Sequence, residues 1–241
     1  MVDAVEDGCV DHGHADSHLM QSDCNYAVRL HRMSEGVKRP HEARVAATEE
    51  RILAAARELF VRHGYHATTL TEVADTAGVG HRTVYLRFGT KAALLKRVTD
   101  VAVAGDADPV DVAHRDWFRT ALTAPTLEKR IAALARGTAD VMERAGDLFE
   151  VVQQAQATEP LLAGAFRAGR QATREQLHTF VRQAVADGLA RRPTDRTWLQ
   201  ETVALAGQAD TYLLLRRTTG WTTRDYRRWL TTTLRHLLAA A

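Results

Sequence analysis

Between Thr69 and Lys91 the chain sets hydroxyls, guanidinium groups and an ammonium on a frame of small apolar residues and glycines, in the order TLTEVADTAGVGHRTVYLRFGTK. Hydroxyl and ammonium groups hold phosphate oxygens, and arginine also pairs bidentately with the edge of guanine. From Thr76 to Thr99 there are five basic residues, Arg82, Arg87, Lys91, Lys96 and Arg97, and no Asp or Glu, in a chain whose net charge is only +2. A local excess of this kind is the electrostatic footprint of a phosphate-binding surface.

Short helices must position these groups. Thr69 and Glu72 have capping-box spacing, which starts a helix whose apolar face is Val73, Ala74 and Ala77. Gly78 stands where the chain turns left-handed and ends that helix. A second helix of about two turns runs from His81 to Arg87, before Gly89. Its Val84 and Phe88, four apart, share a buried stripe, so His81, Arg82, Thr83, Tyr85 and Arg87 face outward or sideways. Thr90 caps a third helix, with Lys91 in its first turn and Leu94, Leu95 and Val98 inside. Upstream, Thr48 is the expected N-cap of a helix carrying Ile52, Ala56, Leu59 and Phe60 and closed by Gly64.

The order Leu59-Phe60, Gly64, Thr68-Thr69, Ala77-Gly78-Val79, Thr83, Tyr85, Phe88, Lys91 resembles the TetR family of bacterial repressors over about fifty residues. The resemblance implies that Thr69, Thr83, Tyr85 and Lys91 hold phosphates of double-stranded operator DNA, while His81, Arg82 and Arg87 project into the major groove. Two positions depart from the family pattern: Gly80 replaces the usual Ser at the recognition-helix cap, and Arg87 stands where the family often has His.

The chain of 241 residues is too long for one fifty-residue unit, and no segment shows strand-like alternation, so an all-α fold is expected. Its parts are a disordered arm over 1–47, a three-helix helix-turn-helix unit with connecting helix over 48–104, and a larger helical bundle that dimerises over 105–241. The first 28 residues hold six acids and no Lys or Arg, as a solvated arm does. There, His12, His14, His18 and Cys24 match no zinc spacing, so neither metal nor cofactor is expected. Met33 is an alternative start. The two cysteines, Cys9 and Cys24, both in this arm, and the lack of a secretory leader or an apolar run long enough for a membrane predict a soluble cytoplasmic protein. No phosphate loop, nucleophile elbow or metalloprotease motif is present, so no enzyme is expected.

Gly105 to Pro109 is read as the domain boundary. Helices are then expected from Thr126 to about Ala145, from Leu148 to Ala157 after a break at Gly146-Asp147, from Pro160 to about Leu189, and from a Thr194 cap to Arg217, with Gly220 ending that region. Near the end, Tyr226, Trp229, Leu230, Leu234 and Leu237 form a wide apolar stripe, and Leu199, Val203 and Gly207 give the preceding helix a close-packing face. Either the same subunit or a second copy covers them. The resemblance favours a homodimer interface there, and twofold symmetry would let two short recognition helices read two half-sites. It also places an unidentified small-molecule effector among the middle helices, with Trp117, Phe118, Met142, Phe149, Phe166 and Tyr212 as apolar candidates and Gln153, Gln154 and His178 as polar anchors. The expected function is a homodimeric repressor released from its operator by that effector. The alternative is a ligand-independent DNA-binding regulator whose C-terminal part only dimerises.

Overall fold

The computed structural model describes residues 43–105, 115–191 and 194–239. Residues 1–42, holding most of the acidic arm, its histidines, both cysteines and Met33, lie outside the described residues, as do 106–109 of the expected boundary and 192–193. Residues 43–49 are helical, and Thr48 donates to the Arg44 carbonyl at 2.8 Å, so Thr48 lies within a helix and does not cap one.

Residues 50–241 make a second unit. Its helices are α1 (residues 50–67), α2 (Leu70–Ala77), α3 (His81–Phe88), α4 (Lys91–Ala104), α5 (Asp116–Thr123), α6 (Leu127–Ala155), α7 (Pro160–Ala186), α8 (Arg196–Ala206), α9 (Ala209–Thr219) and α10 (Thr223–Leu238), with no strand among the described residues. Starts follow the expected chemistry at Thr69, Thr90 and Thr126, whose hydroxyls accept from N3 amides. Asp195, and not Thr194, caps α8 through the Trp198 amide.

Gly146, expected to break a helix, and Gly207, expected to permit close packing, both admit neighbours. Gly146 lies inside one continuous α6, where a Cβ would stand 2.8 Å from the Tyr212 ring. Gly207 separates α8 from α9, dividing the single helix expected to Arg217, and a Cβ on it would meet the Leu177 side chain at 2.5 Å.

One core cluster joins Ile52, Phe60, Val73, Val84 and Leu94 of the first four helices to Leu148 and Val152 of α6 and Leu162 and Phe166 of α7. The apolar core therefore runs across the boundary expected near residue 105. A second cluster lies between α5, α6, α7, α8, α9 and α10.

That second cluster corrects the expected dimer stripe. Leu199, Val203, Tyr226, Leu230 and Leu234 are buried in the chain's own core, because α10 packs along α6 of the same subunit. Trp229 and Leu237 are half-buried against the same core. The Tyr226 hydroxyl donates to the Ala206 carbonyl at 2.9 Å, and Arg235 pairs with Glu128 of α6 at the rim.

Candidate nucleic-acid interface and the cavity behind it

The turn between α2 and α3 is built by caps. The Thr69 hydroxyl accepts from the Glu72 amide at 3.1 Å and donates to the Glu72 carboxylate, which also takes the Thr69 amide at 2.8 Å. These hydrogen bonds hold the Glu72 carboxyl below its usual value. Gly78 ends α2 at φ 63°, and its N–H bonds back to Ala74 and Asp75. Gly80 then precedes α3 without a side-chain cap, and the Thr83 amide donates to the Gly80 carbonyl at 2.9 Å.

Only Val84 of α3 is buried, with Phe88 half-buried beside it. So few apolar contacts would not keep a two-turn helix formed alone, and α3 depends on its packing against α2. The rest of the helix faces out: His81, Arg82, Thr83, Tyr85, Leu86 and Arg87 are exposed. His81 is held by Asp75 of α2, ring nitrogen to carboxylate oxygen at 2.7 Å. Leu86 is 74% exposed and is not among the residues that the sequence pattern singles out, because phosphate and base-edge chemistry points to its polar neighbours. Its signal was present: an unburied leucine between Tyr85 and Arg87, outside the Val84–Phe88 stripe. Such a side chain suits the methyl group of thymine.

The five basic residues do not share one face. Arg82 and Arg87 are on α3. Lys91 instead turns inward, where its Nζ donates to the carbonyls of Tyr65, Thr68 and His66 at 2.7, 2.8 and 3.3 Å and lies 4.4 Å from the centre of the Tyr65 ring. Burial pulls its ammonium below the usual value, against the opposing pull of Glu159 and Glu72. An ammonium has three donors, and here they meet carbonyls at the end of α1, so the expected phosphate contact is replaced by a capping one. Lys96 pairs with Asp100 at 2.6 Å, and both Lys96 and Arg97 lie on the wall of a cavity behind the helix-turn-helix.

That cavity has a volume of about 510 Å3 and is bounded by α4, α5, α6 and α7 together with the α8–α9 turn. Of the expected effector residues, Trp117, Met142, Phe149 and Phe166 are on its wall, as is Phe118. Four expected ones are elsewhere, among them Gln154, which is exposed beside Gly64. Tyr212 is buried against Gly146 and Tyr226, with its hydroxyl 3.2 Å from Thr223. Gln153 donates to Asp210 at 3.1 Å, and His178 sits 3.5 Å from Glu201. Tyr212, Gln153 and His178 each read as an inward residue of a helical bundle, and sequence spacing does not distinguish a cavity wall from solid core.

α4 connects the two regions. Its Leu94, Leu95 and Val98 enter the core under the helix-turn-helix, while Thr99, Val101 and Val103 border the cavity. At its far end, Arg144 of α6 donates to the carbonyls of Ala102 and Val103, and the Arg144 carbonyl accepts from Arg57 of α1 at 2.6 Å.

A capped helix, a glycine turn and a second helix presenting arginines, hydroxyls and an exposed leucine define a helix-turn-helix DNA-binding domain. Residues 52–98 match the family model for bacterial regulatory proteins of the tetR family. It is 36% identical over 67 residues to the HTH-type transcriptional repressor BdcR of Escherichia coli, a match covering 28% of this chain and 34% of that protein. It is 43% identical over 58 residues to the HTH-type transcriptional activator FasR of Mycolicibacterium smegmatis, covering 22% of this chain and 26% of that protein. The chain thus aligns with about a third or less of the length of these relatives. Beyond the first domain the likeness is one of fold: a protein from Saccharomonospora viridis solved in complex with choline superposes with a TM-score of 0.63 at 16% identity, over 80% of this chain and 98% of that one. Among the described residues no helix is long and apolar enough to cross a membrane, and no group of His, Cys, Asp and Glu is arranged to hold a metal ion.

Proposed function

We propose that this chain is a homodimeric transcriptional repressor that holds an operator through two copies of α3 and releases it when a small molecule enters the cavity. In this reading Arg82 and Arg87 read base edges and Leu86 meets a thymine methyl group. Thr69, Thr83 and Tyr85 lie against phosphates, His81 borders the groove, and Lys91 positions α4 against α1. The observation that carries the proposal is the double use of α4, whose one face is core to the helix-turn-helix and whose other face borders the cavity. A molecule that favours one placement of α4 shifts the population between DNA-fitting and non-fitting states. Changing operator affinity a hundredfold needs a differential of roughly 2.7 kcal/mol, within the ordinary range for allosteric coupling.

A second copy has a surface available on the outward faces of α8 and α9. Trp198 and Leu205, seven apart on α8, and Leu214 on α9 are each more than half exposed. Large apolar side chains grouped on a surface mark contact sites. Twofold pairing sets two recognition helices on half-sites about 34–36 Å apart or a multiple of that.

Capturing genomic duplexes with the full chain and measuring affinity for the recovered sequence tests the reading. The expected result is at least about a thousandfold preference over random duplex at physiological salt, with reduced transcription from a reporter carrying that sequence. Equal affinity for all duplexes would remove the regulator assignment, and raised transcription would reverse its sign, as the names of the two relatives allow.

A further inference from the structure

The cavity's charged groups are all paired, while its neutral polar groups are mixed: Thr99 and Gln208 donate to the Leu95 and Arg170 carbonyls, and Thr138, Thr173 and Gln176 are left over among the described residues. Arg170 donates to both carboxylate oxygens of Asp210, at 2.8 and 2.6 Å, and its guanidinium lies 4.4 Å from the centre of the Phe166 ring. Lys96 pairs with Asp100, and Arg97 is engaged with a neighbour as well. Thus every ion on the wall already has a partner. By contrast Thr138, only 8% exposed, and the half-buried Gln176 make no side-chain hydrogen bond within the described residues, and both line the cavity. Both therefore keep donor and acceptor capacity available toward the cavity. The surrounding wall is apolar and aromatic, with Met142, Phe149 and Phe166 at its centre.

From this division we infer that the cavity takes an uncharged, mainly apolar molecule whose single hydroxyl or carbonyl group pairs with Thr138 and Gln176. The inference rests on the effector reading above and narrows it to a ligand class. A charged head group finds no unpaired counter-ion: it must either stay desolvated or draw Arg170 from Asp210 or Lys96 from Asp100, and each route costs more than burying an alcohol that gains a hydrogen bond. A volume of about 510 Å3 accommodates a ligand of ordinary metabolite or drug size.

Calorimetric titration of the full chain with octanol, octanoate and octylammonium tests this with one apolar body and three head groups. Octanol is expected to bind at least about tenfold more tightly than either ion. Thr138→Val, which keeps the shape and removes the hydroxyl, is expected to weaken octanol about fivefold with the thermal midpoint nearly unchanged. Arg170→Met removes the counter-ion of Asp210, the residue next to Ala209 of the wall, and is expected to raise octylammonium affinity about tenfold or more. Tighter binding of octanoate or octylammonium by the unaltered chain overturns the inference. So does an octanol affinity that Thr138→Val leaves unchanged, or absence of binding by all three compounds. DNA affinity measured on the same preparation stands apart: intact duplex preference with any of these failures discards the ligand class and keeps the regulator, whereas lost duplex preference discards the regulator reading itself.

Discussion

The Tyr65 hydroxyl donates to Glu159 Oε1 across 2.7 Å, joining the end of α1 to the residue that precedes α7. Burial, and then the hydrogen bond to Glu159, push the tyrosine hydroxyl well above its usual pKa, so it remains a donor at any ordinary pH. Within the next two helical turns α7 supplies Leu162 and Phe166 to the shared core and the cavity wall. The same Tyr65 gives its carbonyl to Lys91, so one residue touches both the start of α7 and the start of α4. Tyr65→Phe keeps the ring and removes one hydrogen bond to a carboxylate, a loss of about 1.5–3 kcal/mol. The urea midpoint should fall with an unchanged slope. Unchanged stability would show that this link contributes nothing.

Lys91 gives a second, separable prediction. Because its ammonium is held by the Tyr65 and Thr68 carbonyls, Lys91→Met should lower stability by about 2 kcal/mol, the cost of leaving buried carbonyls without a donor. The salt dependence of DNA binding should keep its slope. If the slope instead falls by about one charge with little loss of stability, Lys91 faces a phosphate and the capping role is wrong.

How far the sequence carried these conclusions depended on whether the signal was local. Thr69 with Glu72, Gly78, Thr90 and Gly89 act within four residues of themselves, and their caps were legible without a fold. The inward turn of Lys91 was not, since its partners lie more than twenty residues earlier and the charge count alone grouped it with Arg82 and Arg87. Gly146 was hidden for the same reason: a glycine in a helical pattern reads as a break, and only the distant Tyr212 ring explains why no Cβ is tolerated there, while the helix break at Gly207 has no strong local signal. The α10 stripe was correctly seen as apolar, but periodicity does not say which partner covers it. In this fold α6 does, within the same subunit.

On α3 the predictions concern specificity. Arg82→Ala and Arg87→Ala should each relax preference at one defined base pair, by about 1–3 kcal/mol of discrimination. Leu86→Ala should reduce preference at a thymine while leaving affinity for random duplex unchanged, because an apolar side chain makes no phosphate contact. Selection of bound sequences from a random pool checks all three. A uniform loss across sequences would move the residue concerned to the backbone-contact group.

Asp210 links acidity to stability. Its carboxyl is held below the usual aspartate value, chiefly by the hydrogen bonds from Arg170, with Gln153 adding a third donor. Since the folded value is the lower one, this contribution is complete above the unfolded value and is lost as pH falls through the folded one. Asp210→Asn should therefore be less stable than the unaltered chain near about pH 7, and the two should converge on acidification through the carboxylate range. Parallel urea titrations at several pH values decide it. A difference that stays constant with pH would assign the effect of the substitution to packing.

The two apolar surfaces near the C-terminus make the last prediction, because burial separates them. Leu234 is fully buried beneath α10, and placing a carboxylate there leaves it without water or a partner, so Leu234→Asp should unfold the bundle or lower its stability by several kcal/mol. Leu205 and Leu214 are more than half exposed, so the pair Leu205→Asp and Leu214→Asp should leave circular dichroism and the thermal transition of the subunit in place. If these outward faces of α8 and α9 meet a second copy, two facing carboxylates per subunit repel across the twofold axis, and sedimentation should report monomers. DNA affinity should then drop steeply, since one α3 no longer brings its partner to the neighbouring half-site. A dimer that survives both substitutions would place the interface elsewhere on the bundle, and the rest of its exposed surface becomes the place to search.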